Sequence, residues 1–156
     1  MNTPYNTIID ELLNLLDIDR SMVNADGTVS FNVDALFFIN IFENKDKKTI
    51  VLLSYLDIDP LFLQDKAYFY RVLLEMNFSC AFTQVSSLAL ASSMGEADKL
   101  CLCCEAPLSN RLNGLELEKK LLLLIEDTET LIKDLTVLRN NFGSNEPDIH
   151  LGFLKV

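Results

Sequence analysis

The stretch VNADGTVSF, Val23 to Phe31, sets Asn24, Asp26 and Gly27 at the spacing of an EF-hand's third, fifth and sixth positions. Counting outwards from Gly27 puts Met22 at the first ligand position and Val33 at the twelfth. Neither side chain offers oxygen to a hard cation that wants six or more of them. Val29, Phe31 and Val33 then alternate with Ser30, Asn32 and Asp34, so Asp26-Gly27 reads as a turn into a half-buried strand. A second cluster, LCLCCE, holds Cys101, Cys103 and Cys104. It lacks paired CxxC spacing, and the only other candidate ligands of that kind are the distant Cys80 and His150. A strand here sends Cys101 and Cys103 to one side and Leu100, Leu102 and Cys104 to the other, so the thiols do not converge on one metal ion. They read as small buried hydrophobes. Two copies of LDID, Leu16–Asp19 and Leu56–Asp59, offer carboxylates, but each sits at a helix end or strand exit, where solvated acids are common. With one histidine, no Ser/His/Asp or Cys/His arrangement and no glycine-rich phosphate loop, the sequence points away from an enzyme, a metal and a cofactor.

Composition narrows the classes further. The chain has 156 residues, enough for one domain with a real core, and 49% of them are apolar. A net charge of −10 disfavours nucleic acid and anionic membranes, which both demand Lys and Arg clusters. The same charge lets a soluble protein expose apolar surface without aggregating. No apolar run approaches the ~20 residues needed to cross a bilayer. The opening MNTPYNTIIDELLN is acidic and has no basic n-region, so the expected location is the cytosol, with the four cysteines as free thiols.

The elements that would position these residues can be read in order. Thr3-Pro4 caps a helix whose face carries Tyr5, Ile8, Ile9, Leu12, Leu13 and Leu16, ending near Asp17 to Ser21. Strands are expected over about 28–34, 36–43 and 49–56, the last two joined by the polar loop Asn44–Lys48. Both of these strands are apolar on nearly every residue, so both faces want cover. A second helix is expected over about 63–78, with Ala67, Tyr70, Leu74 and Phe78 on one face and Phe69, Leu73 and Met76 on another. Strands over about 85–91 and 99–105 flank the loop SSMGEAD. Asn113-x-x-Glu116 resembles a capping box opening a long helix, whose stripe of Leu117, Leu121, Leu124, Leu131, Leu135 and Leu138 is interrupted by Thr128 and widened by Leu122, Ile125 and Ile132. The helix stops near Asn140–Gly143. This α-β-β-β-α-β-β-α order predicts an α+β fold, a twisted and mostly antiparallel sheet packed by helices. It forms one domain over 1–142, followed by 143–156 either as a flexible tail or as a segment that packs on a partner or on its own groove.

That order on a short acidic chain resembles the class I type III secretion chaperones, the Tir-chaperone-like family of Gram-negative bacteria. FYRVLLEMNF at Phe69–Phe78 is similar to the family's middle helix, which commonly ends Leu-Leu-x-x-Asn-Phe. LALASS and DKLCLCCEAPL within Leu88–Leu108 resemble its paired strands, and LELEKKLLLLIEDTETLIKDL at Leu115–Leu135 resembles its closing helix. The resemblance implies a homodimer in the bacterial cytoplasm that holds the N-terminal part of a secreted effector extended, without ATP. Its implied partners are that effector, a second copy of itself and the secretion ATPase. It also implies a dimer formed around the middle helix and fourth strand, for which Phe69, Leu73, Met76, Leu88 and Leu90 are the candidates. The surplus apolar surface of the two strands, with the first helix beside them, supplies candidates for an effector groove: Ile8, Leu12, Phe37, Ile39, Ile41, Val51 and Leu53. Plain core packing is the competing reading for each of them. Two other functions fit the same pattern: a regulatory or heterodimeric relative that binds a secretion regulator, and an unrelated α+β dimer with a small-ligand pocket.

Overall fold

Thr3 turns the chain into its first helix. Its Oγ1 accepts the Asn6 amide at 3.3 Å, and Pro4 takes the first helical position, where a missing N–H costs nothing. In this computed structural model, which describes residues 3–78, 86–91 and 99–141, helix α1 spans Pro4–Leu15 and buries Tyr5, Ile8, Ile9, Leu12 and Leu13. It closes when the Ile18 amide reaches back to the Leu13 carbonyl at 3.0 Å while Asp17 adopts a φ of 53°. That left-handed position is one that glycine usually fills. Asp19 then accepts the Ser21 amide at 2.7 Å and starts a 3₁₀ turn, Arg20–Met22.

The Asn24–Gly27 stretch is a turn, as its spacing predicts. The Gly27 amide bonds the Asn24 carbonyl, the Asn24 amide bonds the Thr28 carbonyl, and the Asp26 carboxylate accepts the Thr28 amide at 2.9 Å. That last bond holds the Asp26 carboxyl below its usual range.

Five strands make the sheet: β1 Val29–Val33, β2 Phe37–Asn44, β3 Thr49–Asp57, β4 Ser87–Ala91 and β5 Lys99–Pro107. All pair antiparallel in the order β1-β2-β3-β5-β4. Helix α2, Lys66–Phe78, begins from a 3₁₀ turn at Phe62–Asp65, and α3 spans Gly114–Asn141. The expected α+β order is therefore present. The beginning of the expected fourth strand at Val85, the whole SSMGEAD loop, Cys80, His150 and the segment 143–156 lie outside the described residues.

The pleat divides the sheet into two unlike faces. Phe37, Ile39 and Ile41 of β2 share one side with Ile50, Leu52 and Leu56 of β3 and with Leu100, Leu102, Cys104 and Ala106 of β5. All three helices pack on that side, and the core lies between. Along α3 the buried stripe is Leu117, Leu121, Leu124, Thr128, Leu131 and Leu138. Thr128 fits there because its hydroxyl donates to the Leu124 carbonyl at 2.7 Å. Leu122, expected to widen the stripe, stands half-exposed beside it. Only half of the capping box forms. Asn113 Oδ1 accepts the Glu116 amide at 2.9 Å, whereas the Glu116 carboxylate takes Lys119 at 2.7 Å. The start of α3 presses on α1, where the Gly114 amide donates to Glu11 Oε2 at 2.8 Å.

Candidate functional site: two uncovered apolar surfaces

The second face of the sheet has no helix over it among the described residues. Register fixes what it presents. Phe38 lies opposite Tyr55, which lies opposite Cys101; Phe42 lies opposite Val51; Asn40 lies opposite Leu53, which lies opposite Cys103. Phe38, Phe42, Leu53 and Tyr55 keep partial exposure, and between them Val51 and Cys101 are buried by neighbouring side chains alone. A polar line crosses this apolar field. Asn24 Nδ2 donates to Ser30 Oγ at 3.2 Å, the Ser30 hydroxyl donates to Asn40 Oδ1 at 2.8 Å, and Asn40 bonds the Tyr55 hydroxyl. Burial pushes the Tyr55 phenol above its usual value, with the Cys101 thiol adding to the shift and the Asn40 bond opposing it. The Cys101 and Cys103 thiols are raised too, chiefly by burial, so neither is an activated thiolate. Lys47 closes the margin by pairing with Glu105 at 3.1 Å.

A second apolar surface runs along α2 and β4. Leu74 and Phe78, one turn apart on the outer side of α2, are 69% and 92% exposed, and Leu90 on β4 is 44% exposed. Between helix and strand lies a cleft of about 310 Å³, lined by Tyr70, Leu73, Leu74, Asn77, Leu88 and Leu90 among others. Asn77 spans it and bonds the β4 backbone at Leu88. Monomeric proteins rarely leave contiguous apolar area of this kind in water without a use for it.

The residues expected to form the groove divide between the faces. Ile8, Leu12, Phe37, Ile39 and Ile41 are buried under the helices, whereas Val51 and Leu53 lie on the helix-free side. The pleat separates them, because Phe37, Ile39 and Ile41 point opposite to Phe38 and Phe42. The residues expected at a dimer contact divide likewise. Phe69, Leu73 and Met76 are buried within the subunit, with Phe69 stacked on Phe62 at 4.7 Å between ring centroids. Leu88 is partly buried, and Leu90 reaches water. Sequence reasoning passed over Phe38, Phe42 and Tyr55, although each alternates with a named neighbour. It placed Leu74 and Phe78 on a helix face without giving that face a role.

The remaining candidate chemistry is absorbed by structure. Asp19 caps the 3₁₀ turn after α1, and Asp59 accepts the Leu61 amide and pairs with Arg139 at 2.7 Å. Among the described residues no group of three or more His, Cys, Asp or Glu is placed to hold a metal, and no helix is long and apolar enough to cross a membrane.

The fold has counterparts among solved structures. A chain of the HopA1–SchA chaperone–effector complex superposes with a TM-score of 0.61 at 18% identity, covering 80% of this chain and 90% of that one. A chain of the Yersinia pestis type III secretion chaperone SycH in complex with a stable fragment of YscM2 gives 0.55 at 17% identity, covering 82% and 98%. YbjN from E. coli, a candidate transcription regulator, gives 0.56 at 9% identity, covering 83% and 93%. At these identities the likeness is one of fold. No curated protein matches the sequence. The sequence itself is matched over residues 7–131 by the model of the Tir chaperone protein (CesT) family. That match covers most of the chain, from within α1 to the Leu131 turn of α3, and the protein belongs to the Tir chaperone family.

Proposed function

We propose that this protein is a type III secretion chaperone of the bacterial cytoplasm. As a homodimer it holds the N-terminal region of a secreted effector extended and non-globular, without ATP, until the secretion machine takes it. The observation that carries this reading is the sheet face of Phe38, Phe42, Val51, Leu53 and Tyr55, apolar and without a helix. A packed enzyme domain has no reason to leave such a face bare, whereas an unwound client segment can lay alternate side chains on it. Ordering a client costs several kcal/mol, so a broad surface suits the task better than a small pocket. The likeness to a chaperone–effector complex supports the same partner class.

The second subunit is proposed to sit on α2 and β4. Leu74, Phe78 and Leu90 supply contact area that would become buried there, with Leu88 beneath them, while Phe69, Leu73 and Met76 form the floor from inside.

The deciding experiment is co-expression with a secreted protein encoded nearby, followed by light scattering and limited proteolysis. The expected product is two copies of this chain with one client, retained through the client's first ~100 residues, a length able to bury the area that coupled folding demands. Phe38→Asp with Leu53→Asp should release the client while leaving the dimer. A monomer that retains no client, or retention unchanged in that double variant, would overturn the reading. Capture of a regulator in place of an effector would move the protein to the regulatory branch.

A further inference from the structure

The line of polar side chains across the helix-free sheet face has a direction. Asn24 Nδ2 donates to Ser30 Oγ, and the single Ser30 hydroxyl proton goes on to Asn40 Oδ1. With its oxygen engaged by Ser30, Asn40 has its amide N–H groups to offer the Tyr55 hydroxyl oxygen. Burial raises the Tyr55 pKa, so the phenol keeps its proton, and the Asn40 bond opposes that rise. Opposition is the sign expected of an N–H donated to the phenol oxygen. Each donor in the line is thus spent on the next residue until the last. The Tyr55 O–H meets no acceptor among the described residues.

Around this donor the face is apolar. Phe38 lies directly opposite Tyr55, Asn40 follows on the same side of β2, and Phe42 beyond it lies opposite Val51. Along β2 the face therefore runs apolar, polar, apolar at alternate residues. In the free chain water can take the Tyr55 proton. A segment laid across Phe38 and Phe42 expels that water and leaves a covered donor unmatched, unless the segment brings an acceptor. Its main chain cannot serve, because strands stacked face to face lie about 10 Å apart and side chains alone fill the gap. Serine and threonine are too short to cross it. A carboxylate is repelled by a chain whose net charge is already −10. Asn and Gln are neutral, long enough and end in a carbonyl oxygen.

We propose that Tyr55 is a specificity-determining residue of this face, selecting extended segments in which an Asn or Gln stands two residues from an apolar side chain on either side. The inference rests on the reading of this face as the client surface, and it adds the pattern that a client must carry. Apolar contact alone would accept any hydrophobic strand, whereas the unmatched donor rejects those that lack the acceptor.

The test uses short fluorescein-labelled peptides of alternating serine and valine, in which the central valine is kept or replaced by Asn, Gln or Asp. Anisotropy titrations with the full chain should show the Asn and Gln peptides binding about tenfold more tightly than the all-valine one, with the Asp peptide weaker than either. Tyr55→Phe keeps the ring and removes the donor, so it should bring the Asn, Gln and valine peptides to near equality. Phe38→Asp should weaken all of them. A preference that is absent from the parent chain, or that survives Tyr55→Phe, would overturn the proposal and leave the client surface standing. Failure of every peptide to bind, or binding indifferent to Phe38→Asp, would overturn the client surface and the proposal with it.

Discussion

The side-chain amide of Asn77 grips the backbone of Leu88 from both sides. Its Oδ1 accepts the Leu88 amide at 3.1 Å, and its Nδ2 donates to the Leu88 carbonyl at 3.5 Å. A carboxamide here does what a neighbouring strand would do, satisfying one pair of backbone groups on the outer edge of β4 and tying α2 to it. This gives a physical reason for the asparagine in the Leu-Leu-x-x-Asn-Phe ending of α2. Asn77→Ala should lower stability by about 1 kcal/mol, as expected for exposed hydrogen bonds. Hydrogen exchange should locate the loss at Leu88 and Leu90, with β2 and β3 unaffected.

The outer and inner sides of α2 should respond differently to substitution. Leu74→Asp with Phe78→Asp should leave the far-ultraviolet circular dichroism intact and halve the mass measured by light scattering, because both side chains stand in solvent within one subunit. Phe69→Ala should cost about 3–5 kcal/mol, because its ring is fully buried against Phe62. An unchanged mass in the first variant would remove α2 as the subunit contact.

The β1–β2 connection carries avoidable strain. Asp34 and Ala35 adopt φ of 48° and 55°, and the Leu36 amide closes on the Val33 carbonyl at 2.9 Å. This is the turn in which Asn-Gly or Asp-Gly is preferred. Ala35→Gly should raise stability by about 0.5–1 kcal/mol, read as a higher urea midpoint at unchanged slope.

Gly114→Ala should act in the other direction. Alanine ordinarily favours a helix by about 1 kcal/mol over glycine. A Cβ at Gly114, however, would meet Glu11 Cβ at 2.5 Å and the Leu12 backbone nitrogen at 2.9 Å. Backbone atoms of α1 cannot step aside cheaply, so overpacking wins and a net loss of about 1–3 kcal/mol is expected by thermal denaturation.

Stability should fall as pH rises above the ordinary tyrosine value of 10.0. The Tyr5 hydroxyl donates to the carbonyls of Gly27 and Ile41, and burial, reinforced by Glu43 and then Asp26, pushes its pKa well up. The unfolded chain then releases this proton first, and alkali favours unfolding. Tyr5→Phe should flatten the decline above pH ~10 while costing about 1 kcal/mol at neutrality for the lost bonds. A slope equal to the parent's would show that other groups carry it.

Much of the fold was legible, because its signals are local. The Thr3-Pro4 start, the polar loop at Asn44–Lys48 and the leucine stripe of α3 each place an element without knowledge of its neighbours. The inward faces of α1 and α3 were legible too, in Tyr5, Ile8, Ile9, Leu12 and Leu13 and in the leucine stripe, but those of β2, β3 and α2 were not. β2 and β3 are apolar on both sides, so the alternation that distinguishes inside from outside is absent just where the candidate surface lies. Phe37 and Phe38 are identical in type, and only the helices packed on Phe37, Ile39 and Ile41 separate them. The same tie holds on α2, where Phe69, Leu73 and Met76 turn inwards and Tyr70, Leu74 and Phe78 make an equally apolar ridge. The two LDID copies were readable as solvated acids at a helix end and a strand exit, but that Asp19 and Asp59 each accept a backbone amide two residues on was visible only in the structure.

The strand order carries a consequence for how the protein is made. β5 lies between β3 and β4, so the outer rim of β3 stays bare until residues 99–107 have left the ribosome. The intervening chain takes a few seconds to synthesise at ordinary rates of translation. Through that interval the nascent meander exposes an open margin next to Leu52 and Leu53, inviting misassociation with its siblings.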